Sequence, residues 1–278
     1  MSFLTLRPSP PLADVIQLYW IYQGATPAHA FERVLPMGRE EIIINLSDGE
    51  LRCYEEDGQL HNRTRGPIVT GMHRSSYIID TRQQSAIMGV HFKPGGFWRL
   101  LGIPAHELSN ARVEMQTLFG ADTGELMDRL MRISSLSERL LTVDAALCKR
   151  RFKNVHPAVT WAAAQISRFP TASSVTELAE EAGLSMRRFG ELFTMQVGVG
   201  PKSFLRLQRF HATLHRIHTA KTPDWCDIAA HMGYADQAHM IREFREFSGL
   251  TPATYHSRRG AFPHLVRMPV QVQVPQPA

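Results

Sequence analysis

Two hydrophobic periods divide the chain. Between residues 31 and 93 apolar positions gather in short runs punctuated by turn residues, among them Ser47-Asp48-Gly49 and Asp57-Gly58. That pattern predicts strands at 41–45, 51–55, 68–71, 77–80 and 86–92. In the last of these Met88, Val90 and Phe92 alternate with Gly89, His91 and Lys93, which predicts one buried face. Evenly spaced short strands predict a small barrel or sandwich. After Pro94-Gly95-Gly96 the period becomes helical, with helices expected near 95–101, 122–133 and 137–151 and a break at 154–157.

The C-terminal half contains a repeat. Leu178-Ala-Glu-Glu-Ala-Gly-Leu-Ser185 is echoed by Ile228-Ala-Ala-His-Met-Gly-Tyr234 at an offset of 50, and Phe193, Gly198, Pro201 and Phe204 by Phe244, Gly249, Pro252 and Tyr255 at an offset of 51. One residue is inserted near Ala235. Each copy reads as helix, tight turn, helix. Ser174 and Asp224 suit the first N-caps, and Ser185 and Asp236 the second. Gly183 and Gly233 supply the positive φ between the helices. This is the helix-turn-helix pattern.

On the second helix of the first copy, Phe189, Leu192, Phe193 and Gln196 share one side and are expected to pack inward. Arg187, Gly190, Glu191 and Thr194 lie opposite, with Arg188 beside them. In the second copy Met240, Phe244 and Phe247 are expected inside. Ala238, Arg242 and Arg245 lie opposite, flanked by Gln237 and His239. Arg reads guanine bidentately, Gln reads adenine, Glu accepts from a cytosine amino group, and Thr suits a phosphate or a thymine methyl. Each residue also has a plainer reading as part of a solvated helix face, and Arg187 with Glu191 makes an ordinary i,i+4 pair. Between the copies a helix over 201–220 is expected, with Pro201 at its first position. It carries an apolar stripe (Leu207, Phe210, Leu214, Ile217) and a basic stripe (Lys202, Arg206, Arg209, Arg216) expected against phosphates. At about 27 Å it spans a little under one DNA turn. His211, His215 and His218 form a third row with metal-ligand spacing but no carboxylate or Cys to join them.

Charge sharpens this picture. Residues 1–150 carry 16 Lys and Arg against 17 Asp and Glu, whereas residues 151–278 carry 15 against 9. The basic half is expected to meet an acidic partner, nucleic acid or an anionic surface. The 278 residues predict two domains. Three distant cysteines, Cys53, Cys148 and Cys226, fit neither a disulfide framework nor a zinc cluster and point to a reducing cytosol. No apolar run nears the roughly 20 residues of a membrane span, and the proline-bearing N-terminus is not a secretory signal. Phosphate-loop, dinucleotide and Gly-x-Ser-x-Gly motifs are absent. His29, His61, His73, His91 and His106 are scattered rather than paired. No catalytic residue, cofactor or metal is therefore expected.

Residues from about 171 to 259 resemble the DNA-binding domain of AraC/XylS-type transcription regulators. The likeness rests on the duplicated helix-turn-helix, the connecting helix and the Gly-x-x-Pro-x-x-aromatic ending of each copy. It implies major-groove entry by Arg187, Gly190 and Glu191 in the first copy and by Gln237, His239 and Arg242 in the second. Gly190 and Glu191 depart from the polar or basic residues common at those positions. The N-terminal half resembles the cupin-like effector domain of the same family, through Glu32-Arg-Val-Leu-Pro36 and His91-Phe-Lys-Pro-Gly-Gly-Phe-Trp98. That likeness implies a small molecule or a dimer contact. A ligand is expected among Trp20, Tyr22, His91 and Trp98, unless these aromatics simply fill the core.

The expected fold is α+β in two domains: a β-barrel-like (cupin-like) domain with a helical linker over 1–150, and an all-α double helix-turn-helix domain over 155–260. An extended tail follows over 261–278, whose Met268, Val270, Val272 and Val274 alternate as an edge strand would. The expected function is a cytoplasmic, sequence-specific DNA-binding transcription regulator controlled by a small molecule. Double-stranded DNA, that effector, RNA polymerase and a second copy of the chain are the partners, and a membrane is not. The alternatives are a barrel enzyme tethered to DNA and a module that binds DNA without sequence preference.

Overall fold

The computed structural model describes residues 2–268 apart from 28, 48 and 83. Asp48 of the first expected turn and Val270, Val272 and Val274 of the tail lie outside the described residues. The strands are β1 (Ser2–Leu6), β2 (Ile16–Gln23), β3 (Phe31–Val34), β4 (Glu41–Asn45), β5 (Leu51–Tyr54), β6 (Leu60–Thr64), β7 (Ile68–Thr70), β8 (Tyr77–Asp80), β9 (Ala86–Phe92) and β10 (Arg112–Glu114). Helix α1 (Gly96–Leu101) precedes β10, and α2 (Met115–Phe119), α3 (Asp122–Arg132) and α4 (Leu136–Cys148) follow it. A second helical run comprises α5 (Pro157–Arg168), α6 (Val175–Glu181), α7 (Met186–Val197), α8 (Pro201–Thr219), α9 (Trp225–His231), α10 (Gln237–Ser248) and α11 (Pro252–Arg258). A last strand, β11 (Leu265–Arg267), closes the described chain.

The strands form two antiparallel sheets, β1-β2-β9-β4-β7-β10 and β11-β3-β8-β5-β6. They face one another without closing, so of the barrel or sandwich expected the fold is an open sandwich. One face of the six-stranded sheet, with Met88, Val90 and Phe92, packs under α1–α4. Its other face meets the second sheet through Ile87, Ile68 and Leu51. The single buried face expected for β9 is therefore corrected. Every residue of that strand except His91 is buried, because both sides are covered. Trp20 lies flat on Gly89, its cross-strand neighbour, so closely that a Cβ there would meet the indole at 2.4 Å.

The helical run has its own core, and that core reaches into the sandwich. Leu35 and Met72 from the β region pack with Phe189, Phe204, Phe210 and Phe244. Gln208 Nε2 donates to the carbonyl of Gly38 at 3.1 Å. β11 then leaves the helices and pairs with β3, Leu265 opposite Val34 and Arg267 opposite Glu32. The extended tail expected over 261–278 thus contains a paired strand, and it starts before Met268.

The junction buries ionisable groups. Glu40 is buried with both carboxylate oxygens lacking a hydrogen-bond partner, and burial pushes its pKa up to about 8. Burial drives His211 down to about 4 and His264 down to about 3. A raised acid makes the folded state hold its proton, so stability is lost as pH rises from the usual carboxylate range to about 8. Lowered histidines act in the other direction, costing stability as pH falls below about 6.5. Between pH 6.5 and 8 only Glu40 acts among these three. Unfolding free energy from urea titrations should fall by about 2 kcal/mol across that window, and Glu40→Gln should abolish the fall.

Candidate nucleic-acid interface

Each helix-turn-helix is built by local capping. Ser174 Oγ accepts from the Glu177 N–H at 3.4 Å and Ser185 Oγ from the Arg188 N–H at 3.2 Å. Asp224 Oδ1 accepts from the Cys226 and Asp227 N–H groups, both at 3.0 Å, and Asp236 Oδ1 from the His239 N–H at 2.6 Å. Gly183 and Gly233 hold φ of 65° and 69° in the turns, where a side chain would be strained. All four expected caps and both turn glycines thus occupy the expected places.

The inward faces are as expected. Phe189, Leu192, Phe193 and Gln196 are buried on α7, and Met240, Phe244 and Phe247 on α10. Phe193 packs on Phe204, and Phe210 on both Phe244 and Phe247. Gln196 also accepts from the His156 N–H at 3.0 Å, tying α7 to the start of α5.

The outward faces differ in charge. On α7, Arg187 Nε donates to Glu191 at 2.9 Å and Arg188 lies 3.7 Å from the other Glu191 oxygen. The bond from Arg187 holds the Glu191 carboxyl below its ordinary range. Thr194 is half-buried beside Gly200. On α10, Arg242 and Arg245 are exposed, and neither has an ion-pair partner among the described residues. Gln237 Oε1 accepts from the Cys226 thiol at 3.3 Å, while His239 accepts from the Ala235 N–H at 3.4 Å and meets the Tyr234 ring edge-on.

Much of the basic stripe on α8 is paired inside the protein. Glu243 of α10 is buried, and both its oxygens are taken by arginines of α8. Arg206 Nε donates to it at 2.8 Å and Arg209 Nη2 at 2.9 and 3.0 Å. Arg206 also bonds Glu246 at 2.5 Å and lies over the Phe247 ring, while Arg209 lies over Tyr234. Arg216 bonds Asp227 of α9 at 2.9 Å. These cations set the second helix pair against α8. Helical spacing alone cannot distinguish a solvated basic stripe from one facing buried carboxylates, though Glu243 and Glu246 between aromatic positions were a signal. Lys202 remains exposed. The His row also disperses. His211 is half-buried beside Arg39 of the β region, and His218 pairs with the Tyr255 hydroxyl at 3.2 Å.

The four aromatic positions expected to hold a ligand do not converge. Trp20 Nε1 donates to His91 Nε2 at 2.8 Å. Tyr22 turns its hydroxyl to the Ala25 carbonyl. Trp98 donates to the Asn154 carbonyl at 3.0 Å and lies under Lys153. Of the four, only Trp20 lines the cavity between the sheets. That cavity is bordered instead by Glu41, Tyr77 and Arg112, which no spacing rule singled out; a glutamate opening the apolar run Ile42-Ile43-Ile44 was the available signal.

A helix-turn-helix domain family matches residues 178–258. A second family, described as a domain of unknown function (DUF6597), matches residues 4–114. No curated protein matches the chain. The structure is similar to the C-terminal domain of AraT, a response regulator from Geobacillus stearothermophilus, at 20% identity and TM-score 0.36, covering 40% of this chain and 92% of that one. It is similar to ToxT from Vibrio cholerae at 10% identity and TM-score 0.46, covering 92% of this chain and 98% of that one. It is also similar to the DNA-binding domain of the global transcriptional factor AdpA, solved with a target DNA, at 22% identity and TM-score 0.34, covering 37% and 92%. Among the described residues no helix is long and apolar enough to cross a membrane.

Glu243→Ala should strand two arginines against a buried face and lower the unfolding free energy by about 3 kcal/mol in urea titration. Lys202→Ala, at an exposed site without partners, should change it by less than about 0.5 kcal/mol.

Proposed function

We propose that the chain is a DNA-binding transcription regulator of the AraC/XylS type in which α7 and α10 are two reading heads with unequal duties. The observation that carries this reading is the contrast between their outward faces. Arg242 and Arg245 on α10 are exposed and have no ion-pair partner among the described residues, whereas Arg187 and Arg188 on α7 share Glu191. Unpaired guanidinium groups give both phosphate attraction and bidentate guanine reading. The α10 head therefore supplies most of the electrostatic pull, with Gln237 and His239 at its N-terminal end as further base contacts. The α7 head contributes Arg187, Arg188, Glu191 and Thr194, and Glu191 favours a cytosine amino group over phosphate. Lys202 adds a phosphate contact, while Arg206 and Arg209 act by fixing the angle of α10.

Residues 155–260 are the DNA-binding domain in this reading, and residues 1–150 sense a small molecule or join a second copy. Both heads are gripped at their C-terminal ends by the β region. Arg33 of β3 donates to the Ser248 carbonyl at the end of α10 at 3.1 Å. At the end of α7, Gly198 lies against the Ala105 backbone. The N-terminal halves of both helices, the parts that enter a groove, stay outside. An event in the sandwich is thereby felt at both heads. The cytoplasm, RNA polymerase as a further partner, and regulation rather than catalysis complete the reading.

Selection of bound genomic fragments by the purified chain at moderate salt should enrich one asymmetric motif with two elements about one helical turn apart. Binding without enrichment that vanishes as salt rises would leave only a non-specific module. Arg242→Ala should weaken specific binding by about 1–3 kcal/mol and non-specific binding much less. Equal loss in both would make Arg242 a phosphate contact. Glu191→Gln should release Arg187, tighten non-specific binding and steepen the slope of log K against log salt, read by fluorescence anisotropy.

A further inference from the structure

The cavity between the two sheets has a volume of about 140 Å³. Its walls are mainly aliphatic, with Ile43, Ile68 and Ile87 on one side and Val34 and Ile79 on the other. One wall carries a polar row set by strand register. Glu41 sits opposite His91 on one side and Thr70 on the other, and Thr70 sits opposite Arg112. Residues paired across strands share a face, so the row runs His91–Glu41–Thr70–Arg112. Glu41 and Arg112 stand two strands apart on this row, and no ion pair joins them among the described residues.

The charges on this row are unevenly met. His91, 3.0 Å away, and Arg39 hold the Glu41 carboxyl below its ordinary range, although its Oε1 has no hydrogen-bond partner among the described residues. The other charged groups at the cavity also have partners, Arg52 with Glu50 at 2.9 Å and Glu32 with His29 at 2.7 Å. Arg112 does not. Its Nε and Nη2 are buried without a hydrogen-bond partner among the described residues, and its guanidinium is stacked 3.6 Å from the centre of the Tyr77 ring. A buried guanidinium keeps its charge and needs acceptors. The fork of Nε and Nη2 fits the two oxygens of a carboxylate.

The geometry points to a binding site for a small organic monocarboxylate, its carboxylate on Arg112 and its compact apolar body among the aliphatic walls. A dianion such as phosphate is a poor fit, because Glu41 and the aliphatic lining border the same space. Size narrows the class further, since an apolar cavity of about 150 Å³ holds benzene. The body therefore has about four to six carbons.

The site touches the grip on α10. Glu32 and Val34 of β3 line the cavity, and between them Arg33 points the other way to the Ser248 carbonyl. His264 and Leu265, reached only through the DNA-binding helices, complete the wall. An occupant is thus placed to shift the α10 head. This consequence rests on the proposed reading of the chain as an effector-controlled regulator; the site itself does not.

The test uses the full chain. Benzoate and 3-methylbutanoate should each raise the Tm and bind in calorimetry, whereas benzyl alcohol and inorganic phosphate should not. Arg112→Met should fold, with an unliganded Tm at or above that of the parent because an unpaired buried charge is gone. It should lose carboxylate affinity at least about 30-fold. Failure of both acids to bind the parent, or equal binding by Arg112→Met, overturns the site. So does benzyl alcohol binding as tightly as benzoate. DNA affinity is measured in parallel. Arg112-dependent binding that leaves DNA affinity unchanged sustains the site and removes its effector role. Intact DNA reading with no carboxylate binding removes the site and leaves the regulator.

Discussion

The carbonyl of Ser248 ends α10, the second helix of the second helix-turn-helix, and the guanidinium that meets it belongs to the other half of the protein. Arg33 is buried on β3, held by Glu56 and Ser76 while it donates to that carbonyl. A helix C-terminus carries partial negative charge, so a fixed cation there is electrostatically favoured, and more so away from water. Much else is arranged around this contact. Leu35 inserts into the helical core two residues along, Gln208 reaches back to Gly38, and β11 pairs along β3. The orientation of α10 is thereby set from three sides: by Arg33 at its end, by Arg206 and Arg209 along its length, and by the aromatic core beneath.

The same residue type serves opposite ends in this half of the chain. Arg206 and Arg209 are largely desolvated and matched to Glu243, where the pairing fixes an angle. Arg242 and Arg245 lie on the other side of α10 and keep their hydration and their charge for a partner. Glu191 does to α7 what Glu243 does to α8, but at the surface, where the pairing is weak and salt-sensitive. Excess positive charge in the C-terminal half is therefore a poor measure of the charge it presents. Much of it is internal architecture.

The helical half was legible because its signals are local. Ser174, Ser185, Asp224 and Asp236 announce helix starts, glycines announce turns, and the repeat reports each copy twice. The β half was legible where apolar runs meet turn residues: strands β4, β8 and β9 have the expected bounds. β6 was missed because Leu60-His-Asn-Arg-Thr64 is an edge strand facing solvent over most of its length, with no apolar alternation to read. β2 was missed because its register shifts between Ile16 and Leu18, which breaks the period. Site residues in the sandwich were illegible for a different reason. Arg112 and Glu41 are 71 positions apart and share a row only through β7, so their relation exists in register and not in spacing. The internal pairing of the α8 basic stripe was illegible for the same reason, since Glu243 and Glu246 lie two helices downstream.

Strand β11 gives the chain an unusual topology for a protein with a sheet region and a helical region. Because the chain leaves the sandwich after α4 and returns to it at Leu265, helices α5–α11 form an insertion between two parts of one folded body. Both ends of that insertion are anchored, so neither part can drift away on a linker, and loss of either frees the other's edge. The two parts are expected to melt in a single cooperative step. A fragment cut before α5 would leave β3 with a bare edge able to pair with another chain.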